Sequence, residues 1–352
     1  MTDKPYDLVV FIGRFQIVHN AHKAIINRAC ELANHKVVVI VGSADKPRTY
    51  KNPFTTAERK SMLTAMLGEV IENSPVRVFL EHVYDHTYND TAWAAQIQRI
   101  VSDQASRPWT DKGMRIAIIG HKKDESSFYL DMFPQWDFID QDLIEPLDAT
   151  QIRDLYFNRK MNMNYIRGVV PETTIDFLEE FSKAHKDEYE QIIREKEFIA
   201  DYKKQYEHLP YAPIFTTTDA VVVQSGHVLM IKRRSEPGKG LWALPGGFVN
   251  AKTDRSLVDA MIRELREETG LKIPEKVLKG SITKQKTFDA IDRSARGRTI
   301  TTAFLVQLEG AELPKVKGMD DAEKAKWVPI AEVKRSKCFE DHFEILSDMA
   351  GV

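Results

Sequence analysis

Two domains are predicted for this chain: an α/β domain built on a parallel sheet, followed by a smaller α+β domain. Three observations carry that prediction. At 352 residues the chain exceeds one ordinary domain and can bury two cores. Its first part alternates near-continuous Val/Ile runs with helical periodicity, the pattern of a sheet covered on both faces. Beyond about Pro213 the pattern changes to strands around a tight turn and one strongly charged helix.

In chain order, the strands of the first part are "DLVVFIG" (7–13), "KVVVIVGSA" (36–44), "VRVFLEHV" (76–83) and "MRIAIIGH" (114–121). Helices are read at "HKAIINRACELAN" (22–34) and "TAWAAQIQRIVSDQ" (91–104). Ligands of such sheets lie at the carboxyl ends of the strands. From about Pro171, "ETTIDFLEEFSKAHKDEYEQIIREKEFIADYKKQYEH" is one long charged helix former, ended near Pro210 and Pro213. The second part shows two strands around a Ser-Gly turn in "TTDAVVVQSGHVLMIKRR", a helix over about 256–269, and a strand in "TITTAFLVQLEG". We place the first domain at 1–185, a helical connector at 186–209 and the second domain at 210–352.

Fifty Lys and Arg against 52 Asp and Glu give no electrostatic case for a nucleic-acid or membrane surface as partner. Cys30 and Cys338 show no metal-ligand or redox spacing, which fits a reducing compartment. No basic-then-apolar leader and no run of membrane-spanning length is present, so a cytoplasmic protein is expected.

The densest chemistry lies in "RELREETGL" (263–271). On a helix, Leu257, Met261 and Leu265 share one face, and Glu264, Glu267 and Glu268 share another. Carboxylates crowded in this way repel unless a cation sits among them, and hard oxygen ligands suit Mg²⁺ or Mn²⁺. Arg263 can pair with one of them. Upstream, "LWALPGGFV" supplies a Pro-Gly-Gly turn that brings backbone close to helix and ligand. Together these stretches resemble the Nudix hydrolase box, G-x5-E-x7-R-E-U-x-E-E-x-G-U. Arg263, Glu264, Leu265, Glu267, Glu268, Gly270 and Leu271 match its second half. The first half departs: two extra residues separate Gly247 from Arg263, and Arg255 or Asp254 stands for the first glutamate. The resemblance implies metal-assisted hydrolysis of a nucleoside-diphosphate compound, with Glu264, Glu267 and Glu268 as ligands, Glu267 and Glu268 as catalytic groups, and Gly246 and Gly247 against the nucleotide. Arg293, Arg296 and Arg298 offer a pyrophosphate or ribose grip. Arg233 and Trp242 are further candidates, and Asp320, Asp321 and Glu323 remain open as general base.

In the first domain, "IGRFQIVHNAHKAII" follows a strand and opens a helix, where free N–H groups favour an anion. His19 and His22 point the same way there, Gly13 allows close approach, Phe15 follows, and Arg14 adds a permanent charge. The stretch resembles the HxGH nucleotidyltransferases, with Ala21 in the glycine position. Their S/T-x-x-R element is matched by Thr150 and Arg153, with Asp148 and Thr150 as possible helix caps. Neither a P-loop nor a GxGxxG fingerprint occurs. "GSADKPRTYKNPFTTAER", "YNDTAW" and "GHKKDESSFYLDMFPQW" are similar to nicotinamide-mononucleotide adenylyltransferases of the archaeal-like type. That likeness puts Lys51 against phosphate and Asn89 and Trp93 against nicotinamide, Trp93 by stacking on the cationic ring. Attack of the mononucleotide phosphate on the α-phosphorus of ATP then needs alignment and charge stabilisation, with Mg²⁺, from His19, His22, Arg14, Thr150 and Arg153.

The order of the two halves resembles the bifunctional nicotinamide-mononucleotide adenylyltransferase/Nudix hydrolases of bacteria, a Rossmann-like nucleotidyltransferase followed by a Nudix fold. Implied ligands are ATP, nicotinamide mononucleotide, NAD and ADP-ribose, which the second half would split to AMP and ribose 5-phosphate. Two rival readings stand beside this one: a Nudix half that only senses ADP-ribose or NAD, and a first half that adenylylates another acceptor such as phosphopantetheine. The connector also offers a surface for homo-oligomer formation.

Overall fold

The computed structural model describes residues 4–71, 75–105, 113–122, 125–141 and 147–351. It divides into two compact units between Ile193 and Arg194. Lys123 and Asp124, within the quoted "GHKKDESSFYLDMFPQW", lie outside the described residues.

In the first unit, β1 (Tyr6–Gly13), β2 (Ala33–Val41), β3 (Arg77–His82), β4 (Ile116–Gly120) and β5 (Asp137–Asp140) form a sheet in the order β3-β2-β1-β4-β5. Every pairing is parallel. Alternation along the strands decides the two cores. Val9, Phe11, Val37 and Val39 face one cluster with α1 (Asn20–Leu32), α2 (Thr56–Ile71) and α4 (Ala149–Tyr156). Leu8, Val10, Val38 and Ile40 face the other, against α3 (Asp90–Gln104) and Phe133. With both faces covered, the strands have no polar side to display, hence their unbroken apolar runs.

The long helix-forming stretch is not one helix. It forms α5 (Glu172–Ala184) and α6 (Lys186–Lys204), broken at His185, whose φ of −117° and ψ of 47° leave the helical region. The break lets Ile175, Leu178 and Phe181 of α5 and Tyr189, Ile192 and Ile193 of α6 enter one core. Tyr156 stitches them, its hydroxyl donating to Leu178 O (2.7 Å) while its carbonyl accepts from Tyr189 Oη (2.6 Å).

The strand ends that carry the first motif are held by Arg59, a buried residue at 1% exposure. Its guanidinium donates to Arg14 O (2.7 Å), Gly42 O (2.6 Å) and Ser43 O (3.0 Å), so the turns leaving β1 and β2 share one donor. Burial pulls its pKa down to about 10, and it stays charged at neutral pH.

The second unit is a mixed sheet. β6 (Phe215–Gln224), β7 (His227–Arg233), β10 (Ile282–Phe288), β11 (Thr299–Gln307) and β12 (Ala322–Pro329) run in the order β10-β11-β6-β7-β12, with β8 (Trp242–Ala243) on β7 and β9 (Gly246–Phe248) on β6. Only β11–β6 is parallel among the paired strands described. Ser225 and Gly226, at φ 49° and 72°, make the two-residue turn of β6–β7, as the Ser-Gly pair predicts. Helix α7 (Leu257–Thr269) buries Met261 and Leu265 against Ala220, Val222, Leu229 and Phe304, with Leu257 partly covered. Ser256 caps its start through Asp259 N (3.1 Å), and Gly270 at φ 61° ends it. Helix α8 (Glu275–Gly280) buries Leu278, and α9 (His342–Ala350) buries Ile345, Leu346 and Met349. Among the described residues no helix is long and apolar enough to cross a membrane.

Replacing Arg59 with Met leaves two buried carbonyls, of Gly42 and Ser43, and the part-buried carbonyl of Arg14 without their donor. The expected cost is about 2–4 kcal/mol to the first unit, read as a lower urea midpoint by circular dichroism. A shift below about 0.5 kcal/mol would mean that these carbonyls find other partners.

Candidate active sites

The first site lies where β1 turns into α1. His19 occupies the position before the helix and His22 its third residue, and their rings lie 3.8 Å apart between centroids. The Nδ1 of His22 accepts from His19 N (3.2 Å), which leaves its proton on Nε2. Burial drives the His19 pKa down to about 4, with Asp148 opposing, and burial and then His19 drive His22 well below the ordinary range. Two neutral imidazoles result, able to donate hydrogen bonds to an anion without adding charge. Phe15, buried with φ 54°, packs its ring 4.7 Å from His22 and 5.4 Å from Phe11.

Gly13 stands against the Phe15 ring. A Cβ there would stand 2.9 Å from the Phe15 ring, so the glycine makes room for the chain's own aromatic side chain. Arg14 is exposed while its carbonyl is held by Arg59. Helix α4 is capped by Asp148, which accepts from Thr150 N (2.8 Å) and Gln151 N (2.9 Å); Thr150 is inside the helix and is not the cap. Arg153 is buried, donating to Gln16 O (2.5 Å) and Thr150 Oγ1 (3.1 Å), with its Nε unbonded among the described residues. The S/T-x-x-R element is thereby tied to the β1–α1 turn through Gln16, whose side-chain amide also exchanges bonds with Phe54 N and O.

Lys51 is exposed. Asn89 caps α3 through Ala92 N (3.0 Å), and Trp93 is half-buried, with Tyr129 at 5.9 Å and Phe133 at 6.1 Å. Those two residues are on the side of the sheet opposite α1.

The second site centres on Arg263 of α7. Its guanidinium grips both oxygens of Asp254 (2.9 and 2.8 Å), reaches Glu264 and Glu267 (2.8 Å each), and donates to Phe248 O (3.1 Å). The cation among the carboxylates is therefore an arginine of the same helix, and it meets three acids where the sequence reading assigned it one. Asp254, whose side chain is 4% exposed, is the acid that meets the arginine, and Arg255 is exposed. The longer loop is folded back by Asp254 Oδ2 on Asn250 N (2.7 Å).

Gly246 and Gly247 are strand residues of β9 and not a turn, and neither has positive φ. A Cβ on Gly246 would fall 2.2 Å from Thr218 O, and one on Gly247 2.7 Å from the Glu264 carboxyl carbon. They bring β9 onto β6 and against α7, where Gly246 N donates to Glu268 Oε2 (2.9 Å). Glu268 is buried, and burial first, then Glu264, pushes its pKa up to about 8; Glu264 is raised by burial despite Arg263. Glu267 is 46% exposed. Among the described residues no three His, Cys, Asp or Glu form a ready-made metal cage. Each of the three glutamates nevertheless keeps one oxygen outside these bonds. An all-oxygen set in which burial raises the pKa of two carboxylates even with arginines beside them fits a hard divalent ion.

Arg233 is pulled down in pKa by burial and then by the charge of Arg296, with Glu340, Glu268 and Asp321 opposing, so these groups share one neighbourhood. Its guanidinium covers the Phe339 ring at 4.0 Å and donates to Pro237 O. Arg296 stands 4.9 Å over Phe248. Two other arginines are already occupied. Arg293 is locked to Asp341, which corrects its reading as part of a grip, and Arg298 donates to Asp289 O (2.6 Å) within its own loop. Of the general-base candidates, Glu323 pairs with Lys232 (3.3 Å), Asp320 is exposed at φ 47°, and Asp321 acts on Arg233. Trp242 is half-buried with Lys326 5.1 Å over its ring. Asp219 was not singled out: it is buried in β6, accepting from Thr301 Oγ1 (2.5 Å), and its one sequence signal is an acid beside "AVVV".

A Gly246→Ala substitution is expected to cost about 1–3 kcal/mol by overpacking, measured as a lower thermal midpoint of the second unit. An unchanged midpoint would show that β9 can move away from β6 at no cost.

The chain matches the cytidylyltransferase-like family over residues 10–217 and the NUDIX domain over 215–349. It is 35% identical over 177 residues to a nicotinamide/nicotinic acid mononucleotide adenylyltransferase of Acinetobacter baylyi, covering 50% of this chain and 87% of that protein. Over 130 residues it is 35% identical to an ADP-ribose pyrophosphatase of Methanocaldococcus jannaschii, covering 37% and 69%. The crystal structure of a bifunctional NMN adenylyltransferase/ADP ribose pyrophosphatase from Francisella tularensis, complexed with AMP and a manganese ion, superimposes with a TM-score of 0.87 at 32% identity, covering 98% of this chain and 99% of that one.

Proposed function

The chain belongs to the cytidylyltransferase-like family, as a bifunctional NMN adenylyltransferase and Nudix ADP-ribose pyrophosphatase, and on that premise we propose which residues carry each reaction. The first unit transfers AMP from ATP to nicotinamide mononucleotide, giving NAD and pyrophosphate. The second hydrolyses ADP-ribose to AMP and ribose 5-phosphate.

For adenylyl transfer, the neutral His19–His22 pair at the start of α1 is the observation that supports the assignment. Neutral donors hold the phosphates of ATP by hydrogen bonds, while Arg14 and Arg153 supply the positive charge that the transferring group and the leaving pyrophosphate need. Gly13 and Phe15 shape the turn round the nucleotide, Thr150 steadies Arg153, and Lys51 at the exposed edge meets phosphate. Asn89 and Trp93 receive the nicotinamide, Trp93 through its half-exposed indole face. No protein nucleophile is needed, because the mononucleotide phosphate attacks the α-phosphorus directly and the proton count on His19 and His22 does not change.

For hydrolysis, the carboxylates of α7 are the observation that supports the assignment. Glu264, Glu267 and Glu268 would hold Mg²⁺ or Mn²⁺ through their remaining oxygens, and such an ion supplies charge neutralisation and a more acidic bound water. Arg263 fixes the rotamers of Glu264 and Glu267, and Gly246 N fixes that of Glu268. Gly246 and Gly247 seat β9 tightly against β6 and α7, so that the strand lies beside the carboxylates the nucleotide must reach. Arg296 and Arg233 face the pyrophosphate, and Arg298 closes the loop that carries Arg296. Asp321 is the base we favour, since its carbonyl accepts from Arg234 N (3.0 Å), which seats it beside the end of β7 that carries Arg233.

Product chromatography with Mg²⁺ tests both halves at once. Nicotinamide mononucleotide plus ATP should give NAD, ADP-ribose should give AMP, and Glu267→Gln should lower AMP release at least 100-fold (~3 kcal/mol) with NAD formation intact. AMP release that survives the substitution would remove Glu267 from the mechanism. The pH response is a second check. With His19 at about 4, below its unfolded value, kcat/KM for NAD synthesis should show no loss on raising the pH from 6 to 8. A fall through that range would mean that an imidazolium is required.

A further inference from the structure

One buried ion pair in the second unit is used by neither reaction as described. Arg293 and Asp341, with side chains 3% and 4% exposed, meet through two bonds, Nε to Oδ2 (2.9 Å) and Nη2 to Oδ1 (2.8 Å). Arg293 belongs to the loop 289–298, and Asp341 to the segment leading into α9. The neighbouring Glu340, in the left-handed region at φ 44°, accepts from Ala295 N of the same loop (3.1 Å). The anchoring segment is itself fixed: Phe339 N donates to Trp242 O (2.8 Å) and His342 Nδ1 accepts from Leu244 N (3.0 Å). The loop is thus pinned at 293 and 295 and closed on itself by Arg298 on Asp289 O. Its next residue, Arg296, is delivered over Phe248, the residue after the two glycines.

We propose that the Arg293–Asp341 pair, with Glu340 beside it, is a positioning device for substrate binding: it holds Arg296 over Phe248, at the end of β9, before ADP-ribose arrives. An unpinned loop would let Arg296 swing out to solvent, so the pair keeps that cation over Phe248 at the expense of a buried charge couple. The inference rests on the assignment of ADP-ribose hydrolysis to this unit and deepens it by naming what orders the anion-binding side.

The test is a double-mutant cycle. Asp341→Asn and Arg296→Ala are each expected to raise KM for ADP-ribose at least 10-fold with kcat within about 3-fold, and the double variant should rise no further, since both act through one guanidinium. Glu340→Ala, which frees Ala295 N without opening the buried pair, is compared with Glu340→Gln, which removes the same charge from the neighbourhood of Arg233 but keeps an acceptor for Ala295 N. The alanine variant should give the larger rise of the two, smaller than that of Asp341→Asn, and the difference should vanish in the Arg296→Ala background. This comparison serves if Asp341→Asn fails to fold. Calorimetric Kd values for ADP-ribose with metal omitted should move in parallel, and NAD synthesis by the same samples should not change. Multiplicative effects of the two substitutions, or a loss confined to kcat, would overturn the proposal while leaving the hydrolase assignment intact. Wild-type protein that releases no AMP would overturn the assignment instead, and the Kd cycle would still decide the positioning role.

Discussion

The N–H groups of a guanidinium need acceptors once other groups crowd out water, and arginines in both units are placed where several acceptors converge. In the first, Arg59 takes the carbonyls that leave β1 and β2, and Arg153 takes the carbonyl of Gln16. The strand ends of a parallel sheet expose unpaired carbonyls where the ligand turns begin, and arginine satisfies several at once with a fixed geometry. In the second, Arg263 does the same with carboxylates, and Arg293 with Asp341. Rigid turns and rigid carboxylates follow from one constraint.

Much of the fold was legible because it depends on local pattern. Unbroken Val/Ile runs announced a two-faced sheet, and Ser225-Gly226 announced its hairpin. The break at His185 was not legible, since nothing in "SKAHKDEY" disfavours a helix; the bend comes from two apolar stripes sharing one core. β9 was hidden for a related reason. Pro-Gly-Gly carries the signal of a turn, and what makes it a strand is its contact with β6, which is distant in sequence.

Legibility of the sites follows the same division. His19, His22, Glu264, Glu267 and Glu268 stand out because their spacing within a helix turn carries the signal. Arg59, Asp219 and Asp341 do not, because each acts across the fold: Thr301 and Asp219 are 82 positions apart, and Arg293 and Asp341 are 48 apart. Among the arginines near "DRSARGR", the sequence gives three equivalent cations. Their partners separate them, tying Arg293 to Asp341 and Arg298 to Asp289 O and leaving Arg296 over Phe248.

The loop before α7 shows how spacing and reach trade against each other. Two additional residues and an acid one carbon shorter still bring two carboxylate oxygens to the same fork of Arg263. A sequence pattern counts residues along a line, whereas the arginine responds only to where oxygens end up in space. Chains that break the pattern by an insertion can therefore keep its chemistry, provided an acid lies close enough to the arginine once the loop has closed.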